Sequence, residues 1–139
     1  MFDSDIVFPS LDVYYARMHL TLKFPDKITF LYGYSGKGKT FVAKALSKQD
    51  LPVMMFDYTY VGDARHCLIG EFISNHAGFL IIIDNADILL DDDLRELIYF
   101  DKVNQFLLIG RDPSGLFLSA HNFVDIKKEG YNISFINVF

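Results

Sequence analysis

A chain of 139 residues that is 51% hydrophobic, with 14 Phe and 8 Tyr, can bury a sizeable core and does not have the composition of a disordered segment. Its formal net charge of −5 argues against a dedicated nucleic-acid surface, which would need clustered Lys and Arg. The lone Cys67 excludes an internal disulfide and a Cys-based metal site, and His19, His66, His76 and His121 show no metal-ligand spacing.

Residues Tyr15 to Phe24 alternate, with Ala16, Met18, Leu20 and Leu22 on one face and Arg17, His19, Thr21 and Lys23 on the other. That is the period of a half-buried strand. Pro25-Asp26-Lys27 reads as a turn into a second strand, Ile28 to Tyr32, so the two strands are expected to form an antiparallel hairpin. Thr40 to Gln49 has helical period, with Phe41, Val42, Ala45 and Leu46 apolar, and Leu51-Pro52 ends it. Val53 to Tyr58 reads as a strand and Ala64 to Asn75 as a helix. Phe79 to Ile83 is apolar at every position, as in a strand covered on both faces. Asp91 to Tyr99 reads as a helix whose acidic start suits the positive end of its dipole. Gln105 to Ile109 is another buried strand, ended by Gly110-Arg111-Asp112-Pro113. Leu116 to His121 reads as a short helix, and Phe123 to Lys127 with Tyr131 to Phe139 as a final hairpin.

Strands alternating with helices predict an α/β fold. The expected form is a doubly wound, mainly parallel sheet with antiparallel hairpins at the N- and C-terminal ends. Residues 1–139 read as one domain, either a complete small protein or the nucleotide-binding segment of a longer one. No apolar run reaches transmembrane length, and the first ten residues lack the basic region of a signal peptide, so the expected setting is cytoplasmic.

The strongest chemical signal is Gly33-Tyr34-Ser35-Gly36-Lys37-Gly38-Lys39-Thr40, which fits G-x-x-x-x-G-K-[ST] at every fixed position. The glycines let successive backbone N–H groups curl around a phosphate, and the following helix points its positive end at it. Lys39 is expected to reach the β- and γ-phosphates and Thr40 to offer its hydroxyl to Mg²⁺. Lys37, an extra cation inside the loop, is expected to face solvent. Gly33, Ser35, Gly36, Lys37, Gly38, Lys39, Thr40 and Phe41 form the expected nucleotide-binding set.

On these residues the chain resembles the P-loop NTPase superfamily, with Gly33 to Thr40 similar to its Walker A motif and Phe79 to Asp84 to its Walker B. The resemblance implies that Asp84 joins Thr40 in holding Mg²⁺. A strand and helix between the two motifs, Val53 to Asn75, resemble the additional-strand branch that includes AAA+ and STAND ATPases. In that branch the position of Arg111 holds a polar group that reads the γ-phosphate, which implies a catalytic part for Arg111 beside Lys39. No N-K-x-D or L-S-G-G-Q motif is present, which points away from GTPases and ABC ATPases and makes ATP the expected nucleotide.

One departure concerns the catalytic base. Hydrolysing members commonly carry Glu after the Walker B Asp, whereas here Asn85 follows Asp84. Asn cannot accept a proton at neutral pH but can orient water. Asp87 is the substitute the resemblance implies, against the plainer reading of Asp87 as a helix cap. The expected function is therefore a Mg²⁺-dependent ATPase or an ATP-gated switch. It would act on a protein partner or on further copies of itself, with Arg65 or Arg95 as exposed candidates for an arginine supplied in trans. The alternatives are a non-hydrolysing nucleotide-binding interaction module and a small-molecule kinase.

Overall fold

The computed structural model describes residues 6–32, 38–57 and 65–139, the first three of the last stretch by backbone alone. Strands β1 (Ser10–Tyr15) and β2 (Met18–Lys23) pair antiparallel, with Val13 opposite Leu20 and Leu11 opposite Leu22. Ala16 and Arg17 connect them with φ of 48° and 69°, the doubly left-handed geometry of a tight two-residue hairpin turn. The expected strand over Tyr15 to Phe24 thus breaks at Ala16-Arg17, and a further strand precedes it. Neither Ala nor Arg announces a left-handed turn, so the alternation reads straight through it.

Strand β3 (Ile28–Leu31) is buried at every position and leads to helix α1 (Lys39–Ser47). Then come β4 (Val53–Phe56), α2 (Arg65–Asn75), β5 (Leu80–Ile83), the short helix α3 (Ala86–Leu89) and α4 (Asp92–Phe100). Strand β6 (Gln105–Ile109), a 3-10 turn at Ala120–Asn122, β7 (Phe123–Glu129) and β8 (Asn132–Asn137) complete the described chain. The short helix expected over Leu116 to His121 contracts to that 3-10 turn, which Ser119 and Asn122 cap reciprocally.

The eight strands form one sheet in the order β1-β2-β8-β7-β3-β6-β5-β4. This corrects the expected doubly wound, mainly parallel sheet with hairpins at its ends. The sheet is mixed and curls into a half-barrel with few helices. Half of its strands come from two hairpins, and these are joined to each other by a parallel β2–β8 pairing. The expected pairing of β2 with β3 does not form. Strand β3 lies between β6 and β7, parallel to both. Strand β3, buried at every position, lies between the fully buried β6 and the buried start of β7, and the partner of β2 is set by a contact more than a hundred residues away.

Side chains alternate across the sheet and feed two apolar cores. Leu31, Leu80, Ile82, Leu107 and Ile109 pack with Val42, Ala43, Ala45 and Leu46 of α1, and Leu11, Val13, Leu20 and Leu22 of the first hairpin close the same core. Phe30, Ile81, Ile83, Phe106 and Leu108 face the other way, toward Ile69 and Ile73 of α2 and Leu94 and Ile98 of α4. Each fully buried Leu or Ile contributes about 1.5–3 kcal/mol. Helix α4 begins as its acidic start predicts: the Asp91 carboxylate accepts from Leu94 N at 2.8 Å, and Asp92 and Asp93 occupy the first turn.

Candidate functional site

Strands β3, β5 and β6 are mutually parallel, so their C-terminal ends reach one edge of the sheet. The segments that leave these three ends, the start of α1, Asp84 to Ile88 and Gly110-Arg111, therefore meet at that edge. At the end of β3 the described chain resumes at Gly38, the N-cap of α1, with φ of 96°. A Cβ there would come within 3.3 Å of Ile126 on β7. Both the left-handed backbone and the close neighbour call for glycine. Gly33, Ser35, Gly36 and Lys37 lie outside the described residues.

Lys39 opens α1 and is only 8% exposed. Burial holds its amine below the ordinary 10.5, and Arg111 adds to the effect, while Asp125, Asp84 and Asp87 oppose it. Thr40 follows, its hydroxyl 3.4 Å from an Asp84 carboxylate oxygen. Asp84 leaves β5 with its backbone N–H bonded to Phe56 O at 2.9 Å, and its other carboxylate oxygen accepts from Asn85 N at 2.9 Å.

Asn85 sits in left-handed backbone, φ 55° and ψ 44°, and its side chain makes no cap for α3. Apart from glycine, Asn is among the residues that tolerate this conformation best. The local turn thus supplies a physical reason for Asn where the resemblance led one to look for Glu.

Asp87, in the first turn of α3, spans to the end of β6. Both of its carboxylate oxygens accept from Arg111 N at 2.9 Å, and one also accepts from Asp112 N at 3.1 Å. Its carboxylate therefore caps the turn after β6 rather than its own helix.

Lys39, Thr40, Asp84, Asn85, Asp87, Gly110 and Arg111 line one cavity of about 390 Å³, with Ile88 and Ile109 as its apolar walls. Six residues singled out from sequence, Lys39, Thr40, Asp84, Asn85, Asp87 and Arg111, are thus brought together from three chain segments. Phe41 is not with them. It lines a neighbouring, largely apolar cavity of about 500 Å³ with Met18, Gly38, Asp125, Ile126, Lys128 and Ile133. Its ring stands 5.5 Å from that of Tyr15. Arg95 is not the exposed group expected: its side chain is 16% exposed, lies 3.8 Å from Asp92 and packs against Gly115. The side chain of Arg65 is outside the described residues.

Two contributors carry no signal of their role in the sequence. Gly110 reads there only as a strand terminator, and Asp125, the carboxylate that acts most strongly on Lys39, belongs to no local motif. Among the described residues no three His, Cys, Asp or Glu side chains converge. Of the histidines, His19 contacts Asp12 and His121 lies 2.8 Å from Asp26, both away from the cavity. No described helix is long and apolar enough to cross a membrane. No protein-family model matches the chain.

Proposed function

We propose that the chain binds ATP with Mg²⁺ at the cavity where Lys39, Thr40 and Asp84 meet, and that it works as a Mg²⁺-dependent ATPase or ATP-gated switch of the P-loop type. The observation that carries this reading is the approach of Thr40 to Asp84 across 44 residues of sequence, beside a buried Lys39. The end of the first motif that the structure describes, Gly38 to Thr40, lies beside the Asp84 that closes the second, at a helix start suited to an anion, and this supports the reading.

The donor set fits Mg²⁺ better than a cation that demands a full protein cage. One hydroxyl and one carboxylate leave most positions to water and phosphate, as Mg²⁺ prefers. When bound, the ion would neutralise phosphate charge. Lys39 would contribute one cation and Arg111, whose charge is felt at Lys39, a second. The apolar cavity beyond Gly38, with Phe41 in its wall, suits the nucleoside end of the ligand. ATP as the specific nucleotide rests on the missing guanine-reading motif. We place this activity in the cytoplasm, coupled to a protein partner or a second copy of the chain.

Asn85 favours a second reading, a nucleotide-binding interaction module with little turnover. Asn cannot take a proton from water, and both Asp87 oxygens already accept backbone N–H groups. A calorimetric titration with MgATP and MgGTP, run beside a phosphate-release assay, separates the readings. Turnover that Lys39→Ala removes supports the ATPase. Micromolar ATP binding without turnover supports the switch or module, and binding of neither nucleotide sinks both.

A further inference from the structure

Asp87 and Gly110 fit each other in a way that a free catalytic carboxylate would not require. A Cβ built on Gly110 would stand 2.1 Å from Asp87 Oδ1 and 3.1 Å from its Cγ. Gly110 has no left-handed backbone to explain it, so the glycine is there for space. The missing side chain lets the carboxylate lie against the chain and accept from the next two backbone N–H groups, Arg111 and Asp112. The turn is tied further on, where Asp112 accepts from Ser114 N at 3.0 Å and from the Ser114 hydroxyl. Those bonds hold the Asp112 carboxyl below its usual range. The result is a backbone fixed at the one residue of this turn whose side chain is a cation on the cavity wall.

We propose that Asp87 is a positioning residue, which acts through Gly110 and the backbone of Arg111 to hold the Arg111 guanidinium over the phosphate end of the bound nucleotide. This rests on the nucleotide reading of the cavity. It assigns Asp87 a task other than proton abstraction. A carboxylate that accepts from two backbone N–H groups, one of them shared between both its oxygens, is a fixed anchor, and the group it anchors is a cation of the cavity beside Lys39. It also accounts for Asp87 standing three residues beyond Asp84: the left-handed turn at Asn85 and the start of α3 bring it from the end of β5 to the end of β6.

The test is a double-mutant cycle read as MgATP affinity, with Asp87→Ala, Arg111→Ala, the pair together, and Gly110→Ala as an independent way to displace the carboxylate. Each single change is expected to weaken binding roughly tenfold, the size of one charge-assisted hydrogen bond. In the Arg111→Ala background, Asp87→Ala is expected to add less than twofold. MgADP affinity, measured on the same variants, should change by less than MgATP affinity. A merely structural Asp87 would weaken both nucleotides alike and add its full effect on top of Arg111→Ala, which would overturn the proposal. If Asp87→Ala does not fold, Gly110→Ala in the two backgrounds decides the same question. Lys39→Ala separates the two layers. If it leaves affinity unchanged, the nucleotide reading itself fails. If it abolishes binding while Arg111→Ala does nothing, the cavity reading stands and the role given to Asp87 is wrong.

Discussion

The two halves of the sheet are built on different terms. Strands β3, β5 and β6 are buried at every position, parallel, and joined by connections that cross the sheet. Strands β1 and β2 show their faces alternately to core and solvent, β8 buries only Ile133, and the hairpins end in tight turns at Ala16-Arg17 and Gly130-Tyr131. A hairpin turn returns the chain at once, and no hairpin residue is among the described residues that line the Lys39 cavity. A crossover strand releases the chain at the sheet edge, and there the chain places Lys39, Asp84 and Arg111. The hairpins do other work: they curl the sheet over α1 and bury its apolar side, and β7 brings Ile126 against Gly38.

Four predictions sharpen this contrast. The largest effect is expected in the crossover half, where Ile82→Ala, at a fully buried position of β5, should cost about 3 kcal/mol in urea unfolding. A cost below about 1 kcal/mol would mean that the two-faced burial of β5 contributes little.

The next is a pH effect on the site. Because burial lowers the Lys39 pKa in the free protein, folding and binding respond oppositely to alkali. Between the lowered value and 10.5 the unfolded chain holds more protons, so stability rises with pH through that window. A bound phosphate would keep Lys39 charged, so on the proposed function MgATP affinity should fall as pH rises through the same window, by about tenfold per unit once Lys39 is neutral. Lys39→Arg, if it binds at all, should flatten that fall; an unchanged slope would remove Lys39 from the binding equilibrium.

In the hairpin half, Ala16→Asn with Arg17→Gly should raise stability by about 1 kcal/mol, since both positions are left-handed and neither residue suits them. The smallest effect concerns Thr29 in β3, whose buried hydroxyl has no hydrogen-bond partner among the described residues. Thr29→Val should be neutral or stabilising by up to about 1 kcal/mol. A loss larger than that would reveal a partner for the hydroxyl.

The same contrast explains what could be read from the sequence. Phe79 to Ile83 and Phe106 to Ile109 are short, continuously apolar and bounded by glycine or polar residues, so burial on both faces is visible in the letters themselves. The acidic start of α4 is equally local. The assembly of the sheet is not. Which strand lies beside β2 is decided by Leu20 meeting Ile133, a non-local choice that no periodicity encodes. The Ala16-Arg17 turn stays hidden because its residues carry none of the usual turn chemistry.

At the site, Lys39, Thr40 and Asp84 are readable because backbone and charge demands force a fixed local spacing. Asp87 is visible as a carboxylate but not as an anchor, since its partners are backbone N–H groups 24 and 25 residues further on. The requirement for Gly110 follows only from where Asp87 points.

The most direct test of the central claim is a calorimetric titration of MgATP into the wild-type chain and into Lys39→Ala, with thermal unfolding of both as a control. The site described here predicts binding to the wild type and a loss of at least about a hundredfold in the variant, the scale of removing a buried, charge-assisted phosphate contact. Both proteins should be folded. Equal affinity for the two, or no binding to the folded wild type, would contradict the claim that this cavity receives nucleotide phosphates.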